Sequence, residues 1–167
     1  MGEQGELCLR PIGRVLEGPS CPPEEGWEGR EALVEIDSDW AGALDGIEGF
    51  SHVWILWWLD RSGRPEEDLR VHPEGRRELP RVGILATRAP VRPNPVAMTA
   101  VALLGREGRW LRVRGLDACQ GTPILDVKPY LRRGDLLAEA TVPAWLAELW
   151  AAHDREREGR GQNGGAL

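Results

Sequence analysis

The sequence predicts a mainly β fold: a single closed antiparallel β-barrel with one short helix and a C-terminal amphipathic helix. Three observations carry this. Six to eight short runs rich in β-branched and aromatic residues are bounded by Gly and Pro. Strands and helices do not alternate, which removes the parallel βαβ architectures. Only the segment near the C-terminus has a helical period over several turns. A chain of 167 residues is long enough for one domain with a sizeable core, and the expected organisation is a barrel domain over 7–153 followed by a disordered tail over 154–167.

Taken in order, Leu7 to Glu17 (LCLRPIGRVLE) reads as a first strand, with Pro11 and Gly13 marking an edge or bulge. Ser20 to Gly29 is loop, and Arg30 to Ile36 a second strand. Asp37, Ser38 and Asp39 offer capping oxygens before a helix over Trp40 to Leu44, which Gly42, Gly46 and Gly49 keep short. Phe50 to Leu59 (FSHVWILWWL) is too short for a buried helix of usual length and reads as a central strand. Alternation then sends His52, Trp54, Leu56 and Trp58 to one face and Val53, Ile55, Trp57 and Leu59 to the other. Arg61 to Leu79, polar and rich in Pro, Gly and charge, reads as a long exposed loop.

Val82 to Thr87 is expected as a strand. Val96 to Leu104 and Trp110 to Leu116 flank Gly105 to Gly108 (GREG) as a hairpin. Pro123 to Tyr130 reads as another strand and Leu136 to Ala140 as one more. From Pro143 to His153, Trp145, Leu146, Leu149 and Trp150 recur at helical spacing, with Thr141 available as a cap and Pro143 near the first turn. This helix is expected to pack on the body through that stripe. The Glu/Arg run and Gly-rich end beyond it predict disorder.

Between the strands lies the stretch around which the chain is organised, Arg81 to Thr99 (RVGILATRAPVRPNPVAMT). Pro90, Pro93 and Pro95 fix their own φ and push Ala89, Arg92 and Asn94 toward extended conformations. Arg88, Arg92 and Asn94 are therefore carried on a stiff, non-helical rod, with the backbone ordered before any ligand arrives. Such a connection suits an anion, although proline-rich connections with arginines also serve simply to end strands. In Asp117 to Tyr130, Asp126, Lys128 and Tyr130 lie two apart and share one strand face. Singly, Asp126 and Lys128 read as a surface ion pair and His52 as a structural hydrogen-bonding group.

The formal net charge is −6, but it is unevenly spread. Arg61 to Arg133 holds fifteen Lys+Arg against eight Asp+Glu, a balance of +7, and the remainder carries −13. That asymmetry suits a phosphate-binding face on an acidic protein; a compositional preference for arginine, twenty to a single lysine, accounts for it equally. Cys8, Cys21 and Cys119 are odd in number, with no CxxC and no His at ligand spacing, so neither a disulfide framework nor a metal site is expected. The longest apolar run, Val53 to Leu59, is far below the roughly 20 residues that span a bilayer, and the N-terminus lacks a basic-then-apolar signal. The expected location is the cytoplasm.

Taken together, GILATRAPVRPNPVAMT, FSHVWILWWL, GTPILDVKPY and PIGRV, in the same order, resemble the TsaA-like (TrmO-type) family of β-barrel S-adenosylmethionine-dependent methyltransferases, over roughly Leu9 to Leu131. The resemblance implies S-adenosylmethionine as cofactor and homodimerisation. It further implies methylation of N6 of threonylcarbamoyladenosine beside the anticodon, hence tRNA as partner. It places the donor against Thr87, Arg88, Arg92, Asn94, Pro95, Asp126 and Lys128. An arginine, Arg88 or Arg92, suits the donor's carboxylate, Asp126 its ammonium or a ribose hydroxyl, and Asn94 an adenine edge or the orientation of the substrate. His52 and Tyr130 are the candidate bases for the acceptor nitrogen. The sequence departs from the family pattern at Ala89, Val91, Ala97, Met98 and Gln120, where Ser, an aromatic, Gly, Leu and Asp are common; longer members carry a second, C-terminal domain. The competing reading is another RNA or small-molecule acceptor, or a non-catalytic barrel that binds a nucleotide by stacking and arginines.

Overall fold

The computed structural model describes residues 7–19, 26–63, 65 and 68–163, with side chains to 157. They divide into two compact units: residues up to 67 with Pro90–Asp135, and Asp68–Ala89 with residues from Leu136 onward.

The first unit is the barrel. Its strands are β1 (Gly13–Glu17), β2 (Glu31–Ile36), β3 (His52–Trp58), β6 (Val96–Glu107), β7 (Trp110–Arg114) and β8 (Pro123–Pro129). They close in the order β1-β2-β7-β6-β3-β8, every neighbouring pair antiparallel. Closure leaves no free strand edge in this sheet. The interior is filled by alternate residues: Val15, Val34, Ile36, Val53, Ile55, Val101, Leu111, Val113 and Ile124 are all at most 1% exposed. The barrel therefore encloses packed side chains, and any ligand surface in this unit lies on its outside.

The first strand is shorter than expected: residues 7–12 are irregular, and β1 begins at Gly13. Gly13 is needed there because a Cβ would meet Glu35 O at 2.1 Å, where β1 and β2 approach. The bulge falls between Val15 and Glu17. The residues after β2 form two 3-10 helices, Ser38–Leu44 and Ile47–Gly49. Asp37 precedes the first without a side-chain cap; its backbone oxygen accepts from Trp40 N at 2.9 Å. Arg106 secures this segment, donating to Asp45 Oδ1, Glu48 Oε2, Leu44 O and Ala41 O; the hydrogen bond to Asp45 raises its guanidinium above the ordinary range. The hairpin turn is tighter than GREG. β6 runs on to Glu107, which pairs with Trp110, so Gly108 (φ 57°) and Arg109 form a two-residue loop, and the register shift falls between Leu103 and Gly105. A single helical turn, α1 (Arg132–Asp135), follows β8.

In the second unit, part of the expected Arg61 to Leu79 loop is ordered as β4 (Arg70–Val71), followed by a 3-10 turn at Pro73–Gly75. β4 pairs with β5, which is only Val82–Gly83 because the chain then turns as a 3-10 helix over Ile84–Ala86 instead of continuing as a strand to Thr87. Leu136 to Ala140 is a turn, closed by Ala140 N donating to Leu137 O, and not a strand. Helix α2 (Ala144–Asn163) starts after Pro143, whose oxygen accepts from Leu146 and Ala147. It passes through residues read from the sequence as tail. His153 and Arg76 explain part of this extension: His153 meets Glu74, and Arg76 bridges Glu74 and Glu156. Of the expected apolar stripe, Leu149 is buried, Trp145 and Leu146 are half-buried, and Trp150 is 52% exposed. Residues 20–25, with Cys21, and 164–167 lie outside the described set.

Candidate active site on the outer face of the barrel

β3 carries the site because its alternation is regular. Val53, Ile55 and Trp57 enter the core, while His52, Trp54, Leu56 and Trp58 face out. Register then sets their neighbours. Lys128, Trp54 and Ala100 form one row across β8, β3 and β6, and Asp126, Leu56 and Met98 the next. Asp126, Lys128 and Tyr130 thus share a face, as their spacing predicts, and a bulge between Leu56 and Trp57 lets Ile124 return to the core.

At one end of this face the proline segment is anchored. Leu59 N donates to Pro95 O at 2.8 Å, Val96 N to Asn94 O at 2.7 Å, and Pro95 is buried. The segment is non-helical but not straight, bending at Pro90 and at Pro93–Asn94. Arg92 is half-buried and Asn94 exposed. In the middle, Asp126 Oδ2 lies 2.6 Å from Lys128 Nζ, and Asp126 Oδ1 accepts its neighbour's backbone N–H from Val127 at 2.9 Å. At the far end, Tyr130 N donates to His52 O at 3.0 Å, and Ser51 Oγ is 3.0 Å from His52 Nδ1. The Tyr130 ring lies 6.4 Å from that of His52 and 5.6 Å from that of Trp54. Seven residues of extended chain separate His52 from Leu59, roughly 23 Å.

These residues therefore lie in sequence along the face: the backbone of the proline segment that carries Arg92 and Asn94 anchored at one end, an ion pair at the centre, aromatic rings and an imidazole at the other. Thr87 and Arg88 belong to the second unit. There the Thr87 hydroxyl donates to Ile84 O and accepts from Ala89 N, closing the turn, and Arg88 is exposed. Two side chains not singled out by sequence reasoning join the outer face of the barrel: Asp135 Oδ2 accepts from Trp54 Nε1 at 3.1 Å. Parity alone could have nominated Trp54, but an 81-residue separation left no local signal for Asp135.

Two further observations bear on the expectations. Gln120, where the family pattern has a carboxylate, donates from Nε2 to Leu16 O at 3.0 Å beside the β1 bulge, a bond that an ionised carboxylate cannot make. The basic central segment is not a bare cationic face. Arg61, Arg76, Arg81, Arg106, Arg109 and Lys128 are each ion-paired, and Arg109 and Arg14 clasp the buried Glu35. No helix among the described residues is long and apolar enough to cross a membrane.

Comparison with known proteins follows the same lines. Residues 19–136 match the tRNA-methyltransferase O N-terminal domain. A probable S-adenosyl-L-methionine-binding protein of Methanothermobacter thermautotrophicus is 41% identical over 79% of this chain and 96% of its own length. A mouse tRNA (adenine(37)-N6)-methyltransferase is 39% identical over 77% of this chain but only 32% of its own length. The crystal structure of TrmO from Pseudomonas aeruginosa superposes with a TM-score of 0.65 at 28% identity, over 81% of this chain and 61% of that one. The chain thus spans nearly all of the archaeal relative and about three-fifths of the solved TrmO. With the barrel, the proline segment and the DVKPY strand all in place, the chain belongs to the tRNA-methyltransferase O N-terminal domain family.

Proposed function

We propose that this protein is an S-adenosylmethionine-dependent methyltransferase that modifies N6 of an adenosine beside the tRNA anticodon, with threonylcarbamoyladenosine as the acceptor. The observation that carries the reading is the outward rows of Lys128 with Trp54 and Asp126 with Leu56, lying between the backbone anchor of the proline segment at Pro95 and the His52–Tyr130 pair, in a chain of this family. The donor set fits a nucleoside with a zwitterionic amino-acid end, since it offers a guanidinium, a carboxylate and an amide on accessible surface.

When bound, S-adenosylmethionine supplies an electrophilic methyl carbon. Arg92 would pair with its carboxylate, and Asp126, ion-paired with Lys128, would accept from an ammonium or ribose hydroxyl. Asn94 would read an adenine edge or orient the substrate, and Pro95 anchors that segment to the end of β3. The protein's contribution is alignment of two reactants with little reorganisation, because the residues stand on strands and on a proline-stiffened connection. In the tautomer whose Nδ1–H donates to Ser51 Oγ, His52 would have Nε2 available to accept the acceptor's proton, with Tyr130 as the alternative base. Thr87 and Arg88 keep the donor-binding roles that the family pattern gives them, on the sequence alone.

The same proposal includes a cytoplasmic location, one TsaA-like domain over 7–153 and a homodimer. Bulk tRNA from a strain lacking the modification, incubated with protein and donor and then digested, should show a one-methyl gain on threonylcarbamoyladenosine by mass spectrometry. Donor binding without that gain would assign a different acceptor; absence of donor binding would refute the enzyme.

A further inference from the structure

We infer that Trp54 and Tyr130 form a stacking platform for an adenine ring, with Asp135 as the residue that positions it. This rests on the methyltransferase reading only for the identity of the ring, because donor and acceptor both carry adenine.

Three features single out Trp54. It stands on the outer face, half-buried, whereas Trp57 on the same strand is a core residue at 7% exposure. Its indole nitrogen is fixed from outside the barrel sheet: Asp135 Oδ2 accepts from Trp54 Nε1 at 3.1 Å and, with the same oxygen, from Leu131 N at 2.7 Å. The α1 turn thereby holds a surface indole in one orientation, removing rotamer freedom that stacking would otherwise cost. Its cross-strand neighbour on β6 is the small, exposed Ala100, and on β8 the exposed Lys128, so neither flanking strand sets a buried, bulky side chain beside the half-buried ring.

The second ring completes the platform. Tyr130 is inclined at 46° to Trp54 with centroids 5.6 Å apart, and His52 lies beyond it at 60°. A tilted pair of rings with one locked by a carboxylate suits a flat, electron-rich heterocycle, since every base offers a π-face. The platform lies two strand residues from the Asp126 row, roughly 7 Å, which keeps a stacked adenine within reach of the ion pair.

The test measures binding of S-adenosylhomocysteine by calorimetry and of a fluorescent anticodon stem-loop RNA by anisotropy, in the full chain and four variants, each checked by thermal melting. Trp54→Leu, which keeps apolar bulk without a π-face, and Asp135→Ala should each weaken one of the two ligands about tenfold to a hundredfold. Trp54→Phe should stay within about threefold, because a ring remains. Asp135→Asn should restore affinity, because one amide oxygen accepts both N–H groups, an outcome that a merely destabilising effect would not produce. Loss confined to S-adenosylhomocysteine assigns the platform to the donor, and loss confined to RNA assigns it to the acceptor. If the parent chain binds and both ligands hold Trp54→Leu and Asp135→Ala as tightly as the parent, the platform is refuted and the methyltransferase reading stands. If the parent binds neither, that reading falls and the platform with it.

Discussion

Replacing Asp126 by Asn separates binding from folding. The amide keeps the side-chain size and an oxygen for Val127 N, but it removes the charge that faces Lys128. The Asp126–Lys128 pair is solvent-exposed, with side chains 40% and 61% accessible, so its loss should change stability by no more than about 0–1 kcal/mol. A hydrogen bond from the donor's ammonium to the carboxylate is worth about 1.5–3 kcal/mol. Screening at this accessibility favours the lower end, so S-adenosylhomocysteine affinity should fall roughly tenfold. Calorimetry on the variant, with a melting curve in the same buffer, measures both effects. Affinity within twofold of the parent would refute Asp126 as a donor ligand, and a collapsed melting temperature would show that the ion pair is structural.

Arg92→Ala should weaken the same ligand by a comparable or larger factor and abolish methyl transfer, because a misplaced donor loses alignment as well as affinity. His52→Ala should lower kcat while leaving donor affinity intact; an unchanged kcat would return His52 to a structural role. Gly13→Ala should destabilise the barrel by about 1–3 kcal/mol in denaturant unfolding, since its Cβ would collide with backbone at Glu35 and Ile36. Gln120→Glu should cost about 0.5–1.5 kcal/mol by losing the bond to Leu16 O, and a neutral outcome would free that position for a carboxylate.

Much of the barrel is legible along the chain because strand alternation is a local property. The order of Val53, Ile55 and Trp57 against His52, Trp54 and Leu56 appears unchanged in the structure, and so does the shared face of Asp126, Lys128 and Tyr130. The proline segment is likewise fixed locally, since ring closure sets φ whatever surrounds it. The sequence by itself therefore determined the fold class, the family and most of the residues of the candidate site.

Tertiary structure decided what depends on distant partners. β5 stops after two residues and α2 continues to Asn163, against local composition in both cases, and in the helix distant charges at Glu74 and Arg76 meet His153 and Glu156. The charge balance of the basic segment suits either a phosphate-binding face or a mere preference for arginine, and only the fold shows that six of its cations meet acids, several of them far away in the sequence, such as Glu35 and Asp45. The Asp135 contact to Trp54 and the Gln120 contact to Leu16 span 81 and 104 residues. Such pairings follow from barrel closure, which sets β8 beside β3 and β1 and so decides which side chains meet, a geometric outcome that no window along the chain contains.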